Sequence, residues 1–347
     1  MTNLYIDTIE SKLNVKKRPP IWLMRQAGRY MPEYLKIRKQ HLFKTCIYTP
    51  KLVEKITLLP IKAFQTDAAI LFSDILVIID ALNLDLIYKE KQGPIVTNPI
   101  RNPEDVNRLK SIHKQQIFSP IYEGISACLA ALNKYQTPLI GFAGAPFTIA
   151  SYMIEGKSIK HLEQTKQFYY THETAFKDLI NLLEDIIYEF LMGQIKAGVH
   201  ALQLFDTWAN LLPYQQFRNY CINPIKNIIT KIRQNSNIPI TVFCKSSSLH
   251  FQDLLETNCS VIGIDWQGNL SNILSQTPEK VAIQGNLDPL LLFASKNVIK
   301  NELETLLKQT KNRKNFVVNL GHGLFPNTPY DNVRYLISLV KNHKVFN

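Results

Sequence analysis

Residues Ala68–Leu76 read AAILFSDIL: five apolar residues with no interruption, then Ser73 and Asp74. A short apolar run of this kind, ended abruptly by polar residues, fits a strand buried on both faces. Seven further runs share its character. With it they give eight candidate strands: Ile21–Met24, Ala68–Phe72, Leu139–Phe142, Ala201–Phe205, Ile240–Phe243, Val261–Ile264, Val281–Gln284 and Phe316–Leu320. Long helical stretches separate most of them, which is the pattern of parallel β/α units. Thr165–Lys196 is the longest such stretch. It is free of Gly and Pro until Gly193, with Phe176, Leu179, Leu183, Ile186, Ile187 and Phe190 at helical spacing.

Eight buried parallel strands fit an open doubly wound sheet or a closed (β/α)8 (TIM) barrel. The residues that follow each strand favour the barrel. They are, in order, Arg25, Ser73-Asp74, Ala143-Gly144, Asp206-Thr207, Lys245, Asp265, Gly285-Asn286 and Gly321-His322. Such barrels gather their reactive groups at this C-terminal face. The expected fold is therefore α/β, a single barrel over residues 1–347. It carries one insertion: between Asp85 and Pro99, Leu86-Ile87-Tyr88, Gln92-Gly93-Pro94 and Ile95-Val96 read as a β-hairpin at the rim.

The composition is that of an ordinary globular chain, with 46% hydrophobic and 20% charged residues. A net charge of +12 fits nucleic acid, an anionic membrane, an acidic substrate or simply a solvated basic surface. The runs Lys16-Lys17-Arg18 and Lys311-Asn312-Arg313-Lys314 are short and lack interleaved aromatics, so they read as solvated loops or helix ends and no nucleic-acid partner is expected. Met1–Val15 has no continuous apolar core, and no apolar run reaches 18 residues. Neither a signal peptide nor a membrane span is expected. Five cysteines, at 46, 128, 221, 244 and 259, form no CxxC pair, which suits a reduced cytoplasmic protein. The histidines and cysteines show no metal-ligand spacing, so no zinc is expected; P-loop and GxGxxG patterns are absent.

Five strand ends carry candidate chemistry. In Pro20–Tyr34, PIWLMRQAGRYMPEY, Arg25 and Arg29 flank Gln26, Ala27 and Gly28. Paired guanidinium forks beside a glycine suit carboxylates, and equally suit loop carbonyls. Arg38 would add a third cation if its helix folds back to the mouth. Asp74 is either an acceptor for substrate N–H groups or an N-cap. In Gly141–Gly156, Pro146 opens a helix that places Tyr152 two turns in, as a site hydroxyl or an ordinary buried tyrosine. Asp206 and Thr207 are substrate hydrogen-bonding groups or N-caps. His322, between two glycines, has an accessible ring or a structural one.

Together these segments resemble the uroporphyrinogen decarboxylase family. PIWLMRQAGRYMPEY and GFAGAPFT (141–148) are similar to its two signatures, and LFSDIL (71–76), QLFD (203–206), GIDW (263–266), QGNLDP (284–289) and NLGHGL (319–324) follow in order, over residues 17–345. The resemblance implies a homodimeric barrel that takes uroporphyrinogen III and uses no cofactor. It implies a pocket lined by Arg25, Gln26, Ala27, Gly28, Arg29, Arg38, Asp74, Tyr152, Thr207 and His322, with Asp74 and Arg25 catalytic. Two positions depart from the family pattern: Ser246 and Asn210 stand where glycine is expected. A corrinoid-linked methyltransferase of the same fold would need a His/Cys zinc site, and the last strand ends in Gly-His-Gly without cysteine. A non-catalytic basic binding protein would show salt-sensitive nucleic-acid binding.

Overall fold

The computed structural model describes residues 3–12, 18–89, 92–110, 115–157 and 161–343. Lys16 and Lys17 of the first basic run, part of Met1–Val15, and Glu90-Lys91 in the expected hairpin lie outside these residues.

The apolar runs pair in parallel, in chain order. The strands are β1 (Ala69–Ile70), β2 (Leu86–Lys89), β3 (Gly93–Val96), β4 (Leu139–Gly144), β5 (Ala201–Asp206), β6 (Ile240–Cys244), β7 (Val261–Gly263), β8 (Ala282–Leu287) and β9 (Phe316–Leu320). Seven of them form one sheet in the order β1-β4-β5-β6-β7-β8-β9. Registers such as Ala69↔Leu139, Leu202↔Ile240 and Ile283↔Phe316 carry it round.

The eighth stave is the segment beginning at Pro20, and it closes the ring without being a strand. Val318 N–H donates to the Pro20 carbonyl at 2.9 Å, and Asp67 N–H donates to the Ile21 carbonyl at 2.8 Å. Ile21 makes a single parallel bridge with Val318. Beyond it the ladder stops because side chains take the amides. Leu23 N–H goes to Gln26 Oε1 at 3.2 Å and Met24 N–H to Asn319 Oδ1 at 3.1 Å. The expected strand Ile21–Met24 is thus corrected to one bridge residue inside a closed barrel.

Arg18 fixes the entry to this stave. Its guanidinium makes two 2.8 Å bonds to Asp67, whose carboxylate also accepts the Ile21 amide at 2.8 Å. Arg313 in the second basic run donates to the carbonyls of Thr277, Pro278 and Val281. The reading of these arginines as merely solvated is therefore corrected: both brace the bottom of the barrel.

The interior is filled from below. The N-terminal helix Leu4–Ile9, capped by Asn3, inserts Tyr5 and Ile9 against Trp22, Ala68, Ile140, Ala201, Phe243, Val261, Ala282 and Val317. Above this floor runs a polar seam. Trp22 Nε1 donates to Gln284 at 2.9 Å, and Gln284 donates to Gln203 at 3.4 Å. Tyr5 is fully buried. Tyr5→Ala is expected to cost about 3–5 kcal/mol, the usual range for emptying a buried aromatic site. Urea unfolding checks this, and a loss below about 1 kcal/mol would show that the helix is not a plug.

On the outside, the 165–196 stretch divides at His172 into helices Glu163–Thr171 and Glu173–Ala197. The second buries Phe176, Leu179, Leu183, Ile187 and Phe190. The hairpin is present, with β2 and β3 antiparallel and Leu86 opposite Val96.

Candidate active site

Arg25 sits where the first stave turns, in the left-handed region at φ 60°. That conformation costs a non-glycine residue about 1–2 kcal/mol. A bond from Gln26 N–H to the Leu23 carbonyl at 3.0 Å closes the turn. The Arg25 side chain then lies across Gly323 in the β9 loop. A Cβ at Gly323 would stand 2.5 Å from Arg25 Cδ and 2.7 Å from Cγ. Gly321 takes the backbone of Asp265 and Trp266 in the same way: its Cβ would lie 2.5 Å from Trp266 N. The two glycines of Gly-His-Gly thus admit two neighbouring loops.

The rest of the RQAGR segment divides. Arg29 is exposed; Ala27 and Gly28 are half-buried. Gln26 is buried, and its amide donates to the Ala68 carbonyl at 3.0 Å while its oxygen takes the Leu23 amide. Its side chain braces the first stave against β1 and points away from the mouth.

Asp74 follows β1. Its Oδ1 accepts the Leu76 amide at 2.8 Å, a local turn rather than a helix cap, since helix Val77–Ala81 has no side-chain cap. Desolvation, helped by the Asp80 charge, raises its pKa from the ordinary value, opposed by the Leu76 amide, the Arg25 charge and the Tyr88 hydroxyl. Tyr88 comes from β2, so the hairpin reaches the site. Arg38 lies one aromatic layer further out. Its guanidinium sits 5.4 Å over Phe43, and Phe43 packs edge-on to Tyr88 with ring centroids 4.7 Å apart.

Tyr152, on helix Pro146–Glu155, packs edge-on to Trp208 at 6.1 Å and feels the charges of Asp74 and Arg25. Burial pushes its hydroxyl up. Thr207, half-buried, follows β5 directly. Asp206 does not face the mouth. It is fully buried between β5 and the helix, where Thr148 Oγ1 donates to it at 2.6 Å and accepts the Trp208 amide at 3.1 Å. The reading of Asp206 as a substrate group is corrected to that of a loop brace.

Burial pushes the Asp206 carboxyl up to about 6, against the Thr148 hydrogen bond. A carboxyl raised on folding stabilises the fold fully below its unfolded pKa, and that contribution is lost as pH rises through about 6. Between pH 4 and 7 the wild type should lose about 2–3 kcal/mol relative to Asp206→Asn. Chemical denaturation across that range checks it; parallel pH profiles would refute the shift.

His322 packs edge-on to Phe243 at 6.0 Å. Burial, then the charges of Arg25 and Lys245, push its pKa down to about 3, so the ring is neutral near pH 7. Lys245, at the end of β6, is the mouth residue that the site reading passed over. Its Nζ lies 4.5 Å over the Trp208 ring. The signal was available as strand parity. Phe243 belongs to the interior cluster, and a strand turns every second side chain to one face. Among the described residues no group of three or more His, Cys, Asp or Glu is placed to hold a metal ion.

The mouth therefore brings Arg25 and Lys245 together with the half-buried Asp74, a neutral imidazole and a tyrosine hydroxyl, and the buried Asp80 lies within electrostatic reach of Asp74. Such a site can hold several acid groups while one anion faces their centre.

The uroporphyrinogen decarboxylase (URO-D) family model matches residues 10–343. The chain is 41% identical over 327 residues to the uroporphyrinogen decarboxylase of Protochlamydia amoebophila, covering 94% of this chain and 88% of that one. It is 39% identical over 329 residues to that of Chloroflexus aggregans, covering 94% and 92%. Among solved structures, a methyltransferase from Methanosarcina mazei superposes with a TM-score of 0.77 over 98% of this chain and 99% of its own, at 14% identity, a likeness of fold. The chain belongs to the uroporphyrinogen decarboxylase family.

Proposed function

We propose that this chain converts uroporphyrinogen III to coproporphyrinogen III, releasing four CO2, one from each acetate. The observation that carries it is Asp74: a half-buried carboxylate at a mouth where Arg25 and Lys245 make no ion pair among the described residues.

The chemistry suits those groups. Protonation of a pyrrole α-carbon makes the ring cationic. The electron pair of the C–CO2 bond then flows into the ring and CO2 leaves. Protonation of the resulting exocyclic methylene and loss of the α-proton give the methyl pyrrole. The ring is its own electron sink, so the step draws on no external cofactor. Positive charge develops at the pyrrole nitrogen, where Asp74 accepts the N–H and stabilises it. At roughly 4 Å and an effective dielectric near 20, such a pair is worth about 4 kcal/mol. Arg25, Arg29 and Arg38 receive acetates and propionates, as do the backbone of Gln26, Ala27 and Gly28, Tyr152, Thr207 and neutral His322. Arg25, beside both Asp74 and His322, also belongs with the proton-transfer step.

The same reading makes the chain one barrel over 1–347, working as a homodimer in the cytoplasm. The five cysteines are buried and free, and no helix among the described residues is long and apolar enough to cross a membrane. Anaerobic incubation with uroporphyrinogen III tests the proposal. The products should pass from hepta- to tetracarboxylate, and an unchanged octacarboxylate would overturn it.

A further inference from the structure

We propose that Lys245 is a carboxylate-receiving residue of this site: its ammonium, held on the face of Trp208, moves onto an acid side chain of the bound tetrapyrrole. This rests on the reading of the mouth as the uroporphyrinogen site.

Three observations carry it. The first is placement. Lys245 follows the last residue of β6 and shares the parity of Phe243, which lies in the barrel interior. The side chain therefore rises from the floor of the mouth rather than from its outer wall. The second is the absence of an acid. Lys245 is half-buried, and among the described residues no carboxylate lies within ion-pair distance. Its neighbours are instead a cation, Arg25, and neutral His322. An unpaired, partly desolvated ammonium beside another cation is unfavourable unless an anion arrives. The Trp208 ring, 4.5 Å from Nζ, is a weak resting place that a carboxylate can outcompete.

The third is the loop beneath it. Ser246 is held at φ 57°, a left-handed conformation. The Asp265 carboxylate pins it there by accepting the Ser246 amide at 2.8 Å and the Ser248 amide at 3.1 Å. Ser247 Oγ in turn accepts the Asp265 amide at 2.9 Å. Asp265 is thus committed to backbone donors and leaves the Lys245 charge uncompensated. The strand end that carries Lys245 is fixed, while its four-carbon stem is long enough to turn from ring to ligand.

The groups that face Lys245 are Arg25 from the first stave, His322 from the β9 loop and Trp208 from the β5 loop, with Asp265 beneath. Burial and Arg25 together hold the ammonium below its ordinary pKa. The charge, and with it substrate affinity, is lost as pH rises into the alkaline range.

The test is steady-state kinetics of the full chain on uroporphyrinogen III. Lys245→Gln should raise KM about tenfold or more, the loss of one charged contact, with kcat changed less than about threefold. Lys245→Arg should restore KM and abolish the alkaline rise of KM, because guanidinium stays charged. That profile serves even where Lys245→Gln folds poorly. An active wild type with an unchanged KM in Lys245→Gln, or an alkaline KM rise that persists in Lys245→Arg, would overturn this inference alone. A wild type without turnover would overturn it together with the proposed function.

Discussion

Asp74→Asn should keep the fold and lose about a thousandfold in kcat. Asparagine has the same shape, and its Oδ1 can still accept the Leu76 amide that now holds the carboxylate at 2.8 Å. What it lacks is the charge. In the proposed reaction Asp74 supplies about 4 kcal/mol of stabilisation at a pyrrole nitrogen that becomes cationic only during turnover. At about 1.4 kcal/mol per decade this is close to three decades of rate. Stability should not fall, because burial already disfavours the charged form at this position. Circular dichroism and thermal unfolding check the fold, and turnover checks the chemistry. A variant within about tenfold of wild type would remove Asp74 from its assigned role.

The second large effect is expected at Gly323→Ala, although Gly323 itself presents no side chain to a ligand. The new Cβ would fall 2.5 Å from Arg25 Cδ and 3.0 Å from Nε, so the arginine must move. Gly323 is not in the positive-φ region, so alanine adds no backbone strain. A displacement of about 1 Å in a positioned group can cost about a hundredfold in kcat/KM. A double-mutant cycle separates this from a general disturbance of the loop. In an Arg25→Ala background, Gly323→Ala should have almost no further effect. Additive losses would show that Gly323 acts otherwise than through Arg25.

The barrel was legible because its strands are buried on both faces and read as unbroken apolar runs. All of β4, from Leu139 to Gly144, is buried. The first stave misled for an equally physical reason. Ile21–Met24 has a strand's composition, but its amides are taken by the side chains of Gln26 and Asn319, and no periodicity reveals long-range side-chain acceptors. The strand-end carboxylates at 74 and 206 look alike in sequence. They differ by parity: Asp206 falls on the outer face of β5, opposite to Ala201, which lies in the interior cluster. The same parity marks Lys245 as a mouth residue, and there the signal went unused. The need for glycine at 321 and 323 lies in two other loops, Asp265-Trp266 and Arg25, and only the assembled barrel brings these together.

In the proposed reaction Asp74 and the cations of the mouth suffice for decarboxylation because the pyrrole is its own electron sink. The most direct measurement is the stoichiometry of CO2 released by the purified chain after exhaustive treatment with a metal chelator. Four CO2 per uroporphyrinogen III are expected, with coproporphyrinogen III as the final product and a rate unchanged by chelation. Loss of CO2 release on chelation, restored by adding zinc, would contradict it.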